Sequence, residues 1–376
     1  MADSAGDTPQ AAGAFADRRQ RLAERAQRKN LDGWILVPGP NLRYCTGLDI
    51  EASERVFLLG LGVGGQDVAV VPYFEAERVR ASLPGVRLVT YRDESGPEAA
   101  IARAFGPVGL RPAHLGAEFQ VMRLAERAAV EGSVPRARWH PIDADLAVLR
   151  QVKDAREITA VRRAAEIAIA AVRAGCAAVA AGVSEADVAA CCQEVLLRAH
   201  TTSPFGVQVA SGPRSADPHA QTSLRRLEAG DLVWIDLGAA VDGYCADITR
   251  TLAVGEAPPE LRRALTVVAE AQRRAIASAA AGVAAEAVDA AARTHIASAG
   301  FGAAFTHRTG HGLGLAIHEA PFIVDGNAEP LQLGMVFTVE PGVYLPGLGG
   351  VRLEDDVLVT DGGVEVLTRA AGEEPQ

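Results

Sequence analysis

The chain has 376 residues, 49% of them hydrophobic and 22% charged, with a formal net charge of −10. That length predicts about two domains, and the acidic balance excludes a basic nucleic-acid-binding surface. No apolar run reaches the ~18 residues that a bilayer span requires. The opening MADSAGDTPQAA also lacks the charged and apolar regions of a signal peptide. No membrane or nucleic-acid partner is therefore expected, and the expected setting is the cytoplasm. The cysteines Cys45, Cys176, Cys191, Cys192 and Cys245 are odd in number, irregularly spaced and free of any CxxC, so reduced thiols are expected.

Residues 1–13 are small and polar and are expected to be disordered. A helix follows over 14–30, then strand-like runs at 34–37, 55–62, 67–73 and 86–91, with helices near 97–105 and 118–131. This alternation predicts an α/β domain over 14–145. The charged, helically periodic stretch 145–165 predicts one bridging helix opening a second domain over 146–376. Ser184 and Asp187 have capping-box spacing ahead of SEADVAACCQEVLLRAH. From residue 206 strand signals dominate: GVQVAS, DLVWIDLGAAVD and YCADITRTLAV. Helices are expected near 257–281 and 284–299, before MVFTVEPGVYL, GVRLEDDVLVT and GVEVLT. No repeat of 20–50 residues is visible. Gly60, Gly62 and Gly65 match a dinucleotide-binding spacing, but no helix opens after them, so that reading is set aside.

Five side chains in the second half could ligate metal: Asp236, Asp247, His311, Glu340 and Glu354. Asp236 and Asp247 fall on two strands joined by a turn near residues 241–243. The period-2 pattern puts both on one face, opposite or diagonal to each other. Their neighbours are apolar, and carboxylates in such runs are seldom buried without a partner. His311 stands among glycines that let the backbone pass close to a ligand. Glu340 and Glu354 end otherwise apolar runs. Four carboxylates carry four negative charges, enough for two divalent cations. Such a pair can clamp the attacking and leaving atoms of a hydrolysis. Carboxylates with one imidazole suit Mn²⁺, Co²⁺, Fe²⁺ or Zn²⁺.

The segments SGPRSADPHA, WIDLGAAVDGYCADITRT, HRTGHGLGLAIHEAP, FTVEPGVY and GVRLEDDV resemble those of the creatinase/prolidase/aminopeptidase P family. PGPNLRYCTGL resembles its N-terminal domain. The resemblance implies an α+β protein: a "pita-bread" catalytic domain preceded by a smaller α/β creatinase-type domain. It implies two metal ions, Mn²⁺ or Co²⁺ ahead of Zn²⁺, held by the five side chains named above. A water bridging the metals would attack the peptide bond before proline, with Glu340 as general base. His219 and His318 match the histidines that bind the amide and the developing oxyanion. Arg352 and Tyr344 match residues that orient Glu354 and close the pocket. His307 and Arg308 match substrate contacts, Arg308 reaching the free carboxylate of a dipeptide.

The implied substrates are short proline-containing peptides. An Xaa-Pro dipeptidase is favoured over an Xaa-Pro aminopeptidase because of Arg308, and a non-catalytic module or other hydrolase on the same fold is the remaining alternative. The family also implies a homodimer, whose partner subunit closes the site with the loop matching residues 48–55. There Glu51 would hold an α-ammonium, and Ser53 departs from the histidine that prolidases carry.

Overall fold

The computed structural model describes residues 9–62, 67–106 and 113–369. The chain divides into two units between Arg150 and Gln151.

The first unit contains α1 (Pro9–Arg28), β1 (Gly33–Leu36), α2 (Pro40–Thr46), β2 (Leu58–Gly62) and β3 (Val68–Pro72). It continues with α3 (Ala76–Ser82), β4 (Arg87–Tyr91), α4 (Glu98–Phe105), β5 (His114–Ala117), α5 (Leu124–Ser133), β6 (Arg138–Pro141) and α6 (Asp143–Gln151). Its strands form one mixed sheet in the order β4-β3-β2-β1-β5-β6. Central strands β1, β2 and β3 are buried throughout. Ile35, Leu58 and Val70 pack there against Ile101 and Phe105 of α4 and Val130 of α5. Gly60 and Gly62 lie on β2, which pairs antiparallel with β3, so they open no phosphate loop; Gly65 lies outside the described residues. The expected disorder over 1–13 is corrected in part. Residues 9–13 belong to α1, where an alanine-rich run behind Pro9 favours the helix; residues 1–8 lie outside the described residues.

Glu118 is fully buried and accepts from the Val37 N–H at 2.9 Å and the Asn41 amide at 2.7 Å. Burial outweighs these contacts and pushes its carboxyl up to about 7. A raised folded-state value favours the protonated form. Glu118 therefore stabilises the fold fully below its unfolded value near 4.5, and this contribution fades as pH rises to about 7. Denaturant melts of the full chain should lose on the order of 3 kcal/mol across that window through this group. Glu118→Gln should flatten the profile, and an unchanged profile in that variant would exclude Glu118 as the cause.

The second unit opens with α7 (Ala155–Ala178), α8 (Glu185–Arg198), β7 (Gln208–Ser211), β8 (Leu232–Val241) and β9 (Tyr244–Ala253). Then come α9 (Pro259–Ser278), α10 (Ala285–Ser298), β10 (Gly310–Gly312), β11 (Glu319–Ile323) and β12 (Val336–Val339). The last strands are β13 (Gly342–Leu345), β14 (Gly349–Arg352), β15 (Asp355–Thr360) and β16 (Gly363–Val366). The single bridging helix expected over 145–165 is instead two helices, α6 and α7. Between them Val152 pairs with Met335, and the Lys153 N–H donates to Gly334 O at 3.0 Å. Asp154 then caps α7, accepting from the Arg156 and Glu157 amides at 2.9 Å. Backbone pairing and a cap together outcompete a continuous helix. The capping box at Ser184 and Asp187 forms as its spacing predicts.

The unit is built twice over. AAGVSEADVAACC (180–192) and AAGVAAEAVDAAA (280–292) each enter the second helix of a pair. Gly182 donates to Leu227 O and Gly282 to Leu331 O, both at 2.8 Å. Downstream, GDLVWID (230–236) and GMVFTVE (334–340) align Asp236 with Glu340. This period near 100 residues is longer than the repeats the sequence was read for. Each half packs its helix pair on its strands: α7 and α8 on β8 and β9, α9 and α10 on β12 and β15. The strands form a three-stranded sheet β7-β8-β9, a five-stranded sheet β11-β10-β12-β15-β16 and the hairpin β13-β14.

Candidate metal centre

The β8–β9 hairpin turns at Asp242 and Gly243, both with positive φ (51° and 82°), as a two-residue hairpin turn requires. In the resulting register Asp236 faces Thr249 and Asp247 faces Gly238. The two aspartates are thus diagonal neighbours on one face. His311 sits on β10, wedged between two strands. A Cβ on Gly310 would lie 1.8 Å from Thr338 O, and one on Gly312 would lie 2.2 Å from Ala320 O. Only glycine on both sides lets the backbone pass that closely.

Two strand-rich runs are each divided beside a site carboxylate, where Glu340 and Glu354 were expected to end apolar runs. MVFTVEPGVYL divides into β12 and β13 at Glu340–Pro341, where proline cannot donate to a ladder. GVRLEDDVLVT divides into β14 and β15 around Leu353 and Glu354. The Glu340 N–H bonds Thr309 O at 2.7 Å and the Glu354 N–H bonds Thr249 O at 3.1 Å, holding both carboxylates at the centre.

Asp247, His311 and Glu354 each offer a ligand atom within 4.8 Å of the others, and all three are buried. His311 Nε2 lies 3.4 Å from Glu340 Oε1 and 4.0 Å from Asp247 Oδ2. Burial, helped by the nearby His318, drives the His311 pKa down to about 3, so the ring is neutral. Its Nδ1–H donates to Gly312 O at 3.1 Å, which leaves the Nε2 lone pair facing carboxylate oxygens. Acceptors facing acceptors require a cation or a proton between them. Asp236 Oδ1 and Asp247 Oδ1 are buried with no hydrogen-bond partner. Burial, and then Glu354 and Asp236, push the Asp247 carboxyl well above its usual range. Burial, and then Glu340 and Asp236, do the same to Glu354. Glu340 is pushed up to about 7 by burial against the opposing pull of Arg352. The donor set therefore fits divalent cations: hard, mutually repelling oxygens with one neutral imidazole.

Two residues around this set take partners that motif position did not specify. Arg352, expected to orient Glu354, donates to Asp236 Oδ2 at 2.7 Å and to the Tyr344 hydroxyl at 2.9 Å, and reaches Glu354 through the Thr249 hydroxyl, to which it donates at 3.3 Å. Glu354 is held by the Thr249 hydroxyl at 2.7 Å. The reason is register, since Thr249 stands in the β-bridge opposite Glu354. His307, expected to touch substrate, has both ring nitrogens occupied. Its Nδ1–H donates to Arg308 O at 2.8 Å and its Nε2 accepts from the Tyr344 hydroxyl at 3.0 Å. Burial lowers its pKa to about 4, consistent with this neutral pattern. A chain from Arg352 through Tyr344 and His307 thus braces the backbone of Arg308.

His318 packs edge-on against His311, with ring centroids 4.2 Å apart. His219 is exposed on the loop after β7, where its N–H bonds Asp217 at 2.9 Å. Arg352 ties that loop to the centre through Pro218 O at 3.3 Å. Glu51 lies in the first unit, on the exposed loop between α2 and β2.

Three contributors escaped the sequence reading. The Thr338 hydroxyl accepts from the His311 N–H at 3.0 Å and lies 3.4 Å from Glu340 Oε1. Thr249 holds Glu354 as described. Asp356 is fully buried, accepts from the Asp247 N–H at 2.9 Å, and is pushed well above its usual range by burial. Each stands two residues from an expected ligand, and that spacing along a strand was the available signal.

The profile of metallopeptidase family M24 matches residues 159–361, and that of the creatinase/prolidase N-terminal domain matches residues 18–152. An uncharacterized peptidase of Staphylococcus aureus is 34% identical over 336 residues, covering 89% of this chain and 93% of that protein. A prolidase from Thermococcus sibiricus superposes with a TM-score of 0.88 at 34% identity, covering 95% of this chain and 97% of its own. An Xaa-Pro dipeptidase from Bacillus anthracis does so with 0.85 at 33%, covering 96% and 99%. The two-domain α+β pita-bread architecture expected from the motifs is the fold of this chain, which belongs to metallopeptidase family M24 and carries a creatinase/prolidase-type N-terminal domain.

Proposed function

We propose that the chain hydrolyses the imide bond of Xaa-Pro dipeptides. The observation that carries this choice is Arg308. Its electrostatic influence reaches His311, His318 and Glu340, yet its guanidinium has no hydrogen-bond or ion-pair partner among the described residues. A guanidinium with unused donors beside a hydrolytic centre suits the free carboxylate of a dipeptide. The likeness to prolidase and Xaa-Pro dipeptidase structures supports the same reading.

Asp236, Asp247, His311, Glu340 and Glu354 would hold two divalent cations, Mn²⁺ or Co²⁺ in this reading. When bound, these supply Lewis-acid polarisation of the scissile carbonyl and acidify the attacking water. Glu340 takes the proton of that water, its Oε1 lying 3.4 Å from His311 Nε2 at the centre. His318 and His219 stabilise the developing oxyanion and orient the amide. Thr338 and Thr249 hold Glu340 and Glu354, while Arg352 and Tyr344 hold Asp236 and His307 in place. The proposal extends to a homodimer in the cytoplasm, where Glu51 of the partner subunit meets the substrate amine.

With Mn²⁺ added, an Xaa-Pro dipeptide should be cut in preference to an Xaa-Pro-Xaa tripeptide. Arg308→Ala should raise KM for the dipeptide about tenfold or more while sparing the tripeptide. Preferred cleavage of the tripeptide would make the enzyme an Xaa-Pro aminopeptidase. Cleavage of neither peptide would move the reading to a binding protein or another hydrolase.

A further inference from the structure

Phe322 lies on β11, the edge strand of the five-stranded sheet, directly opposite His311 of β10. Opposed residues of an antiparallel pair project from the same face. Phe322 therefore stands on the face that carries the ligand histidine, and it is 39% exposed. The guanidinium of Arg308 sits 4.6 Å from its ring centroid. Arg352 and Arg293 also lie over rings, Trp234 at 4.6 Å and Phe305 at 4.3 Å, but each has polar anchors besides, whereas the Arg308 guanidinium has none among the described residues. Arg352 is anchored by Asp236 and Tyr344, and Arg293 donates two bonds of 2.8 Å to Asp289. A carboxylate anchor consumes N–H donors and offsets the charge. An aromatic face does neither, because it attracts the cation through its quadrupole and leaves the in-plane N–H groups open.

The geometry points to Phe322 as a positioning residue for Arg308: its ring fixes the plane of the guanidinium so that the N–H fork stays open to the carboxylate of an Xaa-Pro dipeptide. This rests on the dipeptide reading above. His307, bonded to Arg308 O, braces the backbone of the same residue, so Arg308 is held at both ends without losing a donor. Specificity for a free C-terminus then belongs to the Arg308–Phe322 pair. A substrate lacking that carboxylate gains nothing from the ring.

The test uses the full-length protein with added Mn²⁺, measuring an Xaa-Pro dipeptide and its C-terminal amide, the amide as substrate or as competing ligand. Phe322→Leu keeps apolar bulk on an exposed edge strand and removes the π face. It should raise KM for the dipeptide about threefold to fivefold with kcat held, leave the amide unaffected, and be rescued by Phe322→Tyr. Arg308→Ala should raise the same KM further, and the double variant should do no more than Arg308→Ala alone. An unchanged KM in Phe322→Leu beside a raised one in Arg308→Ala overturns the role of Phe322 and leaves the clamp standing. No effect of Arg308→Ala on the dipeptide removes the clamp and this inference together. Equal losses for dipeptide and amide, or additive losses in the double variant, show that the ring packs generally, and overturn it as well.

Discussion

Glu340→Gln should lower kcat about a thousandfold or more while the protein stays folded. The expectation follows from where Glu340 stands. Its Oε1 lies 3.4 Å from His311 Nε2 and 3.4 Å from the Thr338 hydroxyl, at the break between β12 and β13. In the metal-free fold burial holds its carboxyl up at about 7. Gln keeps the shape and loses the basicity. In the metal-free protein, removing one negative charge from a cluster of repelling carboxylates costs no stability, so its melting temperature should hold or rise. Metal content separates two causes of lost turnover. Full metal with no turnover identifies the base, and lost metal identifies the ligand. Substantial turnover in the variant would exclude Glu340 from both roles.

Stripping with EDTA should abolish activity, and Mn²⁺ or Co²⁺ should restore it. Binding should also raise the melting temperature of the stripped protein. At a hundredfold excess over Kd the gain is about 2.7 kcal/mol, or roughly 5–10 °C for a unit of this size. The pH dependence follows from the raised carboxyls. In the metal-free protein Asp247, Glu354 and Asp356 are held well above their usual range, and Glu340 near 7. Groups with raised folded-state values favour folding at low pH, and their contribution is lost as pH rises through those values. Cations compete with protons for the same oxygens, so their stabilisation grows in the same direction. The thermal shift on adding Mn²⁺ should therefore be larger at pH 8 than at pH 5.5. A shift independent of pH would separate the metal from this carboxylate cluster, and activity indifferent to EDTA would remove the metal mechanism.

The four candidate carboxylates were legible because each carries a charge in or beside an apolar run, where burial without a partner is costly, and His311 because it stands among glycines. Asp236 and Asp247 could be placed on one face from the hairpin spacing alone, and the register agrees with a turn at Asp242–Gly243. Thr249, Thr338 and Asp356 were not singled out. Threonine is common in strands for packing reasons, and one more aspartate in LEDDV carries no mark of burial. The hydrogen-bond partners of Arg352 and His307 were not legible for a related reason. Motif position says that a residue lies near the centre, but its partner depends on which strands come adjacent.

Local order in this protein was written into the sequence: the capping box at Ser184, the hairpin at Asp242–Gly243 and most strand positions. These depend on periodicity, turn chemistry and propensity, which act over a few residues. The tertiary structure alone decided the helix break at residues 152–154, where pairing with Gly334 and Met335 overrides a continuous helical pattern. It also decided the pairing of Arg352 with Asp236, the bond of His307 to the Tyr344 hydroxyl, and the placement of the Arg308 guanidinium over the Phe322 ring. Those choices compare partners far apart in the chain. Hydrogen-bond and cation–π energies depend on distance in space, which no local pattern encodes.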